Sequence, residues 1–325
     1  MPAMIEGFVH QEGPICILTS VRDVLRYYGH DLSDPMVSEV GSATLFAYVK
    51  YRGAYVVAFI GRPQDFLQRW VARTGAELME KEKCASLRAA WKQVRKLVDG
   101  GTPVVLGPLD LRYLPFYPVQ FELPWHFNVL IGYGDGTAYI FDNRLPDVQR
   151  LSLEDLDKAW RRRSISRGPY AYTVMRPPRE LALEKVLVES LRHAVEVNLR
   201  PPWRVVGVQA MRRLAAEIGR WPRMLPPQGV KTSVWSLILQ SPVRKFHLFP
   251  RFLLEAERVL GMPALRGIAE QVLICDDAWA GVSSELKEAE EQGRTEAVLS
   301  GVGREIKQIA DREEKAYTSL ERLLP

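Results

Sequence analysis

The spacing of apolar residues changes near the middle of the chain. Up to about Met175, apolar or β-branched runs alternate with Gly, Pro and Asp, a pattern typical of strands. The predicted strands are Tyr55–Ile60, Pro103–Gly107, Phe127–Tyr133, Thr137–Phe141 and Tyr170–Met175. Apolar residues three and four apart predict helices at Cys16–Tyr28, Pro63–Arg73, Ala85–Asp99 and Leu153–Arg161. This mixture indicates an α+β fold.

Beyond Pro177-Pro178 the pattern becomes almost purely helical. Helices are predicted near Glu180–Leu199, Val205–Ile218, Ser233–Leu239, Phe249–Leu260 and Ala264–Leu323, the last broken around Gly293 or Gly301. Because paired prolines interrupt regular structure, they predict the boundary between two domains. We therefore expect an α+β domain at residues 1–176 and an all-α domain at residues 177–325.

The composition is that of a globular protein, with 47% hydrophobic and 26% charged residues in a chain of 325. A net charge of +5 favours anionic partners only weakly, and no nucleic-acid partner is predicted from it. The densest basic run, Arg161-Arg162-Arg163, predicts a solvated helix end. No Gly-rich phosphate loop or dinucleotide fingerprint is present, so no nucleotide cofactor is expected.

The three cysteines are Cys16, Cys84 and Cys275, far apart and without the spacing of a disulfide framework or a zinc site. This usage predicts a reducing compartment and no bound metal. No stretch approaches 18 uncharged apolar residues, and the first residues lack the pattern of a signal peptide. We therefore expect a cytoplasmic protein that does not cross a membrane.

Cys16 begins a predicted helix that follows Pro14 and ends near Gly29. The unpaired amides and positive dipole at a helix N-terminus stabilise a thiolate, which is the nucleophilic form of cysteine. The sequence therefore makes Cys16 a candidate nucleophile. A buried structural cysteine is the alternative interpretation of this position alone.

His126 and Asp142 lie on two predicted strands joined by a hairpin. If Gly134-Asp135-Gly136 forms a three-residue bulged loop, Asn128 lies opposite Asp142. His126 and Asp142 would then share a face, with Cβ atoms roughly 7 Å apart, so that the carboxylate can orient the imidazole. A two-residue loop would put Asp142 on the other face, so the loop class tests the assignment.

The order of these residues favours catalysis. A cysteine at a helix start, a strand histidine about a hundred residues later and then an aspartate supply nucleophile, base and orienter in the chain order of papain-like enzymes. The N-terminal domain is therefore predicted to have a papain-like, cysteine-protease-type fold. Asn143 is an alternative orienter to Asp142, because such sites tolerate an amide at that place.

Several motifs resemble those of the butirosin biosynthesis protein H family. They are CILTSVRDVLRYYGH from Cys16, the DLSDPMVSEVGSA that follows, and WHFNVLIGYGDGTAYIFDN from Trp125. The segments VVGVQAMRRLAAEIGRW and FPRFLLEAERVLGMPALRGIAEQVLICDDAW look like the helical domain that accompanies this N-terminal domain. The resemblance implies an acyltransferase in which Cys16 carries an acyl thioester, His126 acts as base and then acid, and Asp142 holds His126. It also implies an acyl carrier protein as donor and a small-molecule amine as acceptor.

The remaining candidate residues surround this predicted triad. Gln11, five residues before Cys16, is a candidate oxyanion donor, as a Gln before the cysteine is in papain-like sites, with the Cys16 backbone amide as the other donor. Tyr113, Tyr117 and Asn128 are candidate substrate-binding residues, although packing is the alternative for both tyrosines. A cysteine peptidase or amidase would use the same residues, and a catalytically silent binding protein would keep only the fold.

Overall fold

The computed structural model describes residues 3–42, 45–51, 54–60, 65–118, 122–164, 167–240 and 247–324. The chain divides into two compact units. The first unit combines Met1–Val37 with Thr74–Leu181, and the second combines Ser38–Arg73 with Ala182–Pro325.

Within the described residues, the secondary structure comprises nine strands, twelve helices and two short 3-10 turns. The strands are β1 Ala3–Met4, β2 Phe46–Tyr51, β3 Tyr55–Ile60, β4 Glu77–Lys81, β5 Val104–Asp110, β6 Pro124–Gly134, β7 Thr137–Phe141, β8 Gln149–Ser152 and β9 Tyr172–Arg176. The helices are α1 Cys16–Tyr27, α2 Asp34–Val40, α3 Phe66–Thr74, α4 Leu87–Asp99, α5 Leu153–Trp160, α6 Leu183–Leu199, α7 Gly207–Glu217, α8 Trp221–Met224, α9 Pro227–Gln240, α10 Leu248–Leu260, α11 Ala264–Glu291 and α12 Thr295–Leu323. The 3-10 turns are Leu111–Tyr113 and Ile218–Arg220.

The first unit is built on an antiparallel sheet with the strand order β4-β9-β5-β6-β7-β8, and β1 pairs with part of β6. Alternating residues of the sheet pack against α4 and α5 in one hydrophobic cluster. Helix α1 contacts β6 and β9. Its apolar positions, among them Ile17, Val21 and Leu25, are buried, because they recur on one face of the helix. This packing fixes the N-terminus of α1, where Cys16 lies.

The hairpin between β6 and β7 differs from its prediction in two compensating ways. Gly134 pairs with Thr137, so the loop has two residues rather than three. Asp135 and Gly136 both have positive φ, as the tight turn that matches strand twist requires. Between Leu130 and Gly132 the register shifts by one residue. Because of this bulge, Val129 pairs with Phe141, which is the register that the predicted three-residue loop would give. Asn128 and Asp142 therefore lie opposite each other, as predicted.

A second irregularity lies where β5 runs beside His126. The register of β5 against β6 shifts between Leu106 and Leu109, and Leu109 pairs with His126. Gly107 has a φ of 138°, and a Cβ atom there would lie 2.6 Å from the His126 carbonyl oxygen. Only glycine therefore permits this approach of the two backbones.

The second unit is mainly helical. The long helices α11 and α12 pack against each other, and α12 also contacts α6 and α7. The predicted break near Gly293 matches the structure, because α11 ends at Glu291 and α12 begins at Thr295. Gly293 has a positive φ of 66° at that break. No helix in the described part of the chain is both long and apolar enough for a membrane crossing.

The predicted α+β region followed by a helical region is confirmed. The division of the chain differs from 1–176 and 177–325, because residues 38–73 group with the helices. Tyr48 on β2 donates a hydrogen bond to Glu217 at 2.8 Å, and Trp221 donates to the Tyr48 hydroxyl at 3.2 Å. The partners of this hairpin thus lie far along the sequence, where spacing patterns do not reveal them. Residues 63–64, which begin one predicted helix, lie outside the described residues.

Candidate active site

Cys16 is the first residue of α1 and is partly exposed. The residue before it, Ile15, has an extended backbone and provides no side-chain cap. The positive end of the helix therefore faces the thiol, which favours its ionised form. The Cys16 Sγ lies 4.0 Å from the carbonyl oxygen of Trp125 on β6. The nucleophile candidate thus lies beside the strand that carries His126.

His126 lies between a thiol and a carboxylate. Its Nε2–H donates to Asp142 Oδ2 at 2.6 Å, and its ring also forms a hydrogen bond with Cys16. Because Nε2 faces Asp142, Nδ1 is the ring nitrogen left for the thiol. The imidazole is buried, with 7% of its surface exposed. Burial alone lowers the pKa of His126, but the negative charge of Cys16, with Asp142, raises it to about 9.

Asp142 is fully buried, and four donors satisfy its two oxygens. Oδ2 accepts from His126 and from Asn128 Nδ2 at 2.8 Å. Oδ1 accepts from the Tyr117 hydroxyl at 2.8 Å and the Arg144 backbone amide at 2.9 Å. Burial raises the pKa of Asp142, but the hydrogen bond and charge of His126 and the other donors lower it to about 2. The carboxylate therefore stays ionised at neutral pH.

Tyr117 and Asn128 both donate hydrogen bonds to Asp142. The Tyr117 ring also lies edge-on against the His126 ring, with 5.3 Å between centroids. Burial and the nearby Asp142 charge raise the pKa of Tyr117, so its hydroxyl stays protonated and can donate. From the sequence, both residues are candidates for substrate binding, with packing as the alternative for Tyr117. In the structure their polar groups hold the carboxylate beside His126, and a role in substrate binding stays a prediction.

Asn143 fixes the segment that leads into α1. Its backbone oxygen accepts from the Gly13 amide at 2.7 Å, and its side-chain amide donates to the Gly13 oxygen at 2.8 Å. These bonds join the end of β7 to the chain just before Cys16. Because its side chain is occupied there, Asn143 does not replace Asp142 as the partner of His126.

A buried polar network that sequence patterns did not indicate holds the same segment. His10 bonds Asp23 on α1 at 2.6 Å and the Leu145 oxygen at 3.1 Å. Arg22 bonds both Asp23 and Asp34. The network joins α1 to the segment before Cys16, through His10, and to the segment after Asp142, through the Leu145 oxygen. Polar residues on the buried face of a predicted amphipathic helix are the signal that could have indicated it.

Gln11 does not approach Cys16. Its side-chain oxygen accepts from both terminal nitrogens of Arg26 at 3.3 Å, on the exposed side of α1. Arg26 follows Cys16 by ten residues, or about 15 Å along a helix axis. The structure therefore does not bring the Gln11 side chain to Cys16, and its oxyanion role stays a prediction beside that of the Cys16 backbone amide.

Tyr113, a predicted substrate-binding residue, and Trp125, which the sequence analysis does not single out, have other surroundings. Tyr113 lies in a separate cluster with Arg112 and Arg162. Trp125 has 52% of its surface exposed, and its carbonyl oxygen is the one near Cys16. An exposed aromatic residue directly before a strand histidine was the available signal. In the described part of the chain, no three His, Cys, Asp or Glu side chains are grouped to hold a metal ion.

Residues 15–143 match the family described as butirosin biosynthesis protein H, N-terminal. The segment contains Cys16, His126 and Asp142, so the resemblance predicted from the sequence is confirmed there. The resemblance of residues 177–325 to a helical partner domain stays a prediction. No curated protein matches the chain.

Among solved structures, a C39-like peptidase from Bacillus anthracis shares 15% identity with a TM-score of 0.39. The likeness covers 54% of this chain and 97% of the other. The family match, together with the contacts among the three side chains, supports a cysteine-based enzyme.

Proposed function

We propose that this chain is a cysteine-nucleophile acyltransferase that forms a thioester on Cys16 and passes the acyl group to an amine. The observation that carries the proposal is the position of His126, hydrogen-bonded to Cys16 on one side and to Asp142 on the other. A buried histidine with these two partners has the geometry of a nucleophile–base–orienter triad.

In the first half-reaction, the Cys16 thiolate attacks the carbonyl carbon of the acyl donor. The Cys16 backbone amide stabilises the oxyanion that forms. The imidazolium of His126 donates its Nδ1 proton to the leaving group, and a covalent acyl-enzyme remains. His126 is then neutral, while Asp142 accepts from its Nε2–H and keeps that tautomer.

In the second half-reaction, the acceptor amine attacks the thioester carbonyl. Neutral His126 removes a proton from the attacking nitrogen, and the carbon–sulfur bond breaks as the tetrahedral intermediate collapses. The products are an amide and the Cys16 thiolate, beside a His126 that is again protonated. The raised pKa of His126, about 9, suits this resting ion pair at neutral pH.

The donor and acceptor come from the resemblance to the butirosin biosynthesis protein H family. We propose an acyl carrier protein thioester as donor and a small-molecule amine as acceptor, with no cofactor. A cytoplasmic location is part of the proposal, because a reducing compartment keeps thiols reduced. None of the three cysteines, all of which are described, is in a disulfide.

The test is intact-protein mass spectrometry after incubation with acyl carrier thioesters and, separately, with peptides. We expect an acyl adduct that maps to Cys16, is absent from Cys16→Ala and persists in the matched variant Cys84→Ala. Adding amines should discharge the adduct as amide. Discharge only to free acid would indicate a hydrolase, and no adduct from any donor class would contradict the proposed function.

A further inference from the structure

Two arginines converge on Tyr113, in the turn that follows β5, the strand paired with His126. The Arg112 guanidinium lies 4.7 Å from the centre of the Tyr113 ring, and that of Arg162 lies 5.6 Å from it. Arg162 also donates to the Tyr113 hydroxyl at 3.0 Å, a hydrogen bond that lowers the pKa of Tyr113. Arg162 belongs to the basic run predicted as a solvated helix end. That prediction misses these contacts, because their partners lie about fifty residues earlier.

A single exposed carboxylate joins the two arginines. Oε1 of Glu122 accepts from Arg112 at 2.9 Å and lies 3.3 Å from a terminal nitrogen of Arg162. The side chain of Glu122 is 56% exposed. An exposed ion pair contributes little to stability, so another anion can replace this carboxylate at low cost.

The other nearby carboxylate has a structural role. Asp110 is fully buried and accepts from the backbone amides of Arg112 at 3.1 Å and Leu123 at 3.0 Å. Its contact with the Arg112 side chain is long, at 3.5 Å. Asp110 therefore fixes the loop that presents Arg112, and most of the Arg112 donors remain for another partner.

The two guanidinium groups have donors to spare. Each guanidinium carries five N–H donors in a planar fork that matches carboxylate and phosphate oxygens. The Nε atoms of both Arg112 and Arg162 are buried and have no hydrogen-bond partner among the described residues. The Arg112 and Arg162 side chains are 28% and 36% exposed, so their terminal nitrogens rather than the buried Nε atoms are the donors that an incoming anion can reach.

Arg112 lies a short distance along the chain from the strand that pairs with His126. Leu109 pairs with His126, and Asp110 pairs with Pro124. Arg112 follows Leu109 by three residues, a span of at most about 11 Å. The same segment continues to Tyr117, which contacts His126 and Asp142. A substrate with its carbonyl at Cys16 can therefore extend toward the two arginines.

We propose that Arg112 and Arg162 form an anion subsite for a carboxylate or phosphate group of the acyl-transfer substrate, and that Glu122 occupies it in the absence of substrate. This inference rests on the proposed function, because it takes Cys16 as the reacting group. It assigns to the substrate a negative charge at a fixed distance from the reacting carbonyl.

The experiment uses alkylating agents that report on Cys16 without a known substrate. The probes are iodoacetamides with alkyl chains of increasing length, each ending in a carboxylate, a phosphonate or the neutral methyl ester of the carboxylate. At one chain length the anionic reagent should alkylate Cys16 about tenfold faster than its neutral ester, as expected for a charge-assisted bidentate contact. Carboxylate and phosphonate reagents of equal length distinguish the two anion classes.

Variants show whether the preference comes from this cluster. Arg162→Gln should abolish the preference, while Arg161→Gln, the adjacent arginine paired with Asp157 at 3.7 Å, should retain it. Glu122→Gln should increase it, because no internal carboxylate then competes. A purely structural role for the cluster predicts no such increase. Plain iodoacetamide should label Cys16 at the same rate in all of these variants.

The outcomes separate the two proposals. If plain iodoacetamide labels Cys16 selectively but no anionic reagent is preferred at any length, the subsite is wrong and the proposed function stands. A preference that survives Arg162→Gln would equally overturn the subsite. If even plain iodoacetamide shows no selectivity for Cys16, the proposed function itself loses its support.

Discussion

The side-chain amide of Asn128 donates to the Asp142 oxygen that also accepts from His126, at 2.8 Å and 2.6 Å respectively. Tyr117 and the Arg144 amide bind the other oxygen. Asp142 is therefore held by three donors besides the histidine that it orients. The carboxylate is fixed in place before His126 changes protonation, as a preorganised site requires.

We expect Asp142→Asn to reduce both stability and reactivity. One carboxylate oxygen is replaced by an NH2 group, which cannot accept hydrogen bonds from the two donors that face it. Leaving two buried donors without an acceptor costs about 2 kcal/mol or more of unfolding free energy. Losing the negative charge also lowers the pKa of His126, which weakens its pairing with the Cys16 thiolate. Urea denaturation and the rate of Cys16 alkylation measure the two effects.

The matched control is Asp135→Asn in the turn of the same hairpin. Asp135 has a φ of 47°, a conformation that asparagine adopts as readily. We expect this variant to match the wild type in both measurements. An Asp142→Asn protein as stable and as reactive as this control would contradict the role of Asp142.

Tyr117→Phe should act through Asp142 alone, since phenylalanine retains the ring against His126. Removing the hydroxyl takes one donor from Asp142, raises its pKa above about 2 and costs about 1 kcal/mol of unfolding free energy at neutral pH. Because the lowered pKa stabilises the fold above the usual value of 3.8, this stability is lost as pH falls through about 2. The difference between variant and wild type should therefore shrink in acid. A difference that stays constant with pH would show that the hydroxyl acts elsewhere.

The hairpin shows why sequence patterns associated His126 with Asp142 without predicting the geometry between them. Alternation and chain order were sufficient to associate His126 with Asp142. A two-residue loop without a bulge would put His126 and Asp142 on opposite faces of the hairpin. The bulge near Ile131 shifts the register by one residue and returns them to the same face. A bulge depends on the packing of neighbouring strands, such as β1 against Gly132, which no local pattern encodes.

Other differences arise from contacts between distant parts of the chain. Gln11 has a plausible spacing from Cys16, but Arg26 on the exposed face of α1 binds its side chain. The sequence makes Tyr117 a candidate for substrate binding or packing, whereas the fold brings its hydroxyl to Asp142. Residues 38–73 resemble part of the first domain in sequence order, whereas their buried partners lie among the later helices. Local patterns therefore predict elements better than the partners of polar side chains.

Gln11→Ala should leave Cys16 chemistry nearly unchanged. The Gln11 side chain binds Arg26 on the exposed surface, so its removal breaks only exposed hydrogen bonds, within about 0.5 kcal/mol of stability. We expect the rate of acyl-enzyme formation to stay within about twofold of wild type, whereas losing an oxyanion donor costs about a hundredfold or more. Single-turnover acylation of Cys16 measures this rate. A hundredfold loss would show that Gln11 reaches the site when substrate binds.

The pH dependence of Cys16 alkylation tests the ion pair with His126. Below its pKa of about 9, His126 is an imidazolium that stabilises the Cys16 thiolate, so iodoacetamide should label Cys16 faster than Cys84, whose thiol pKa is raised by burial. His126→Ala removes this charge and should slow labelling of Cys16 at pH ~6 by about tenfold or more. Because wild-type His126 loses its proton as pH rises through about 9, the two rates should converge above that pH. Rates that are equal at pH ~6 would show that the thiolate does not depend on His126.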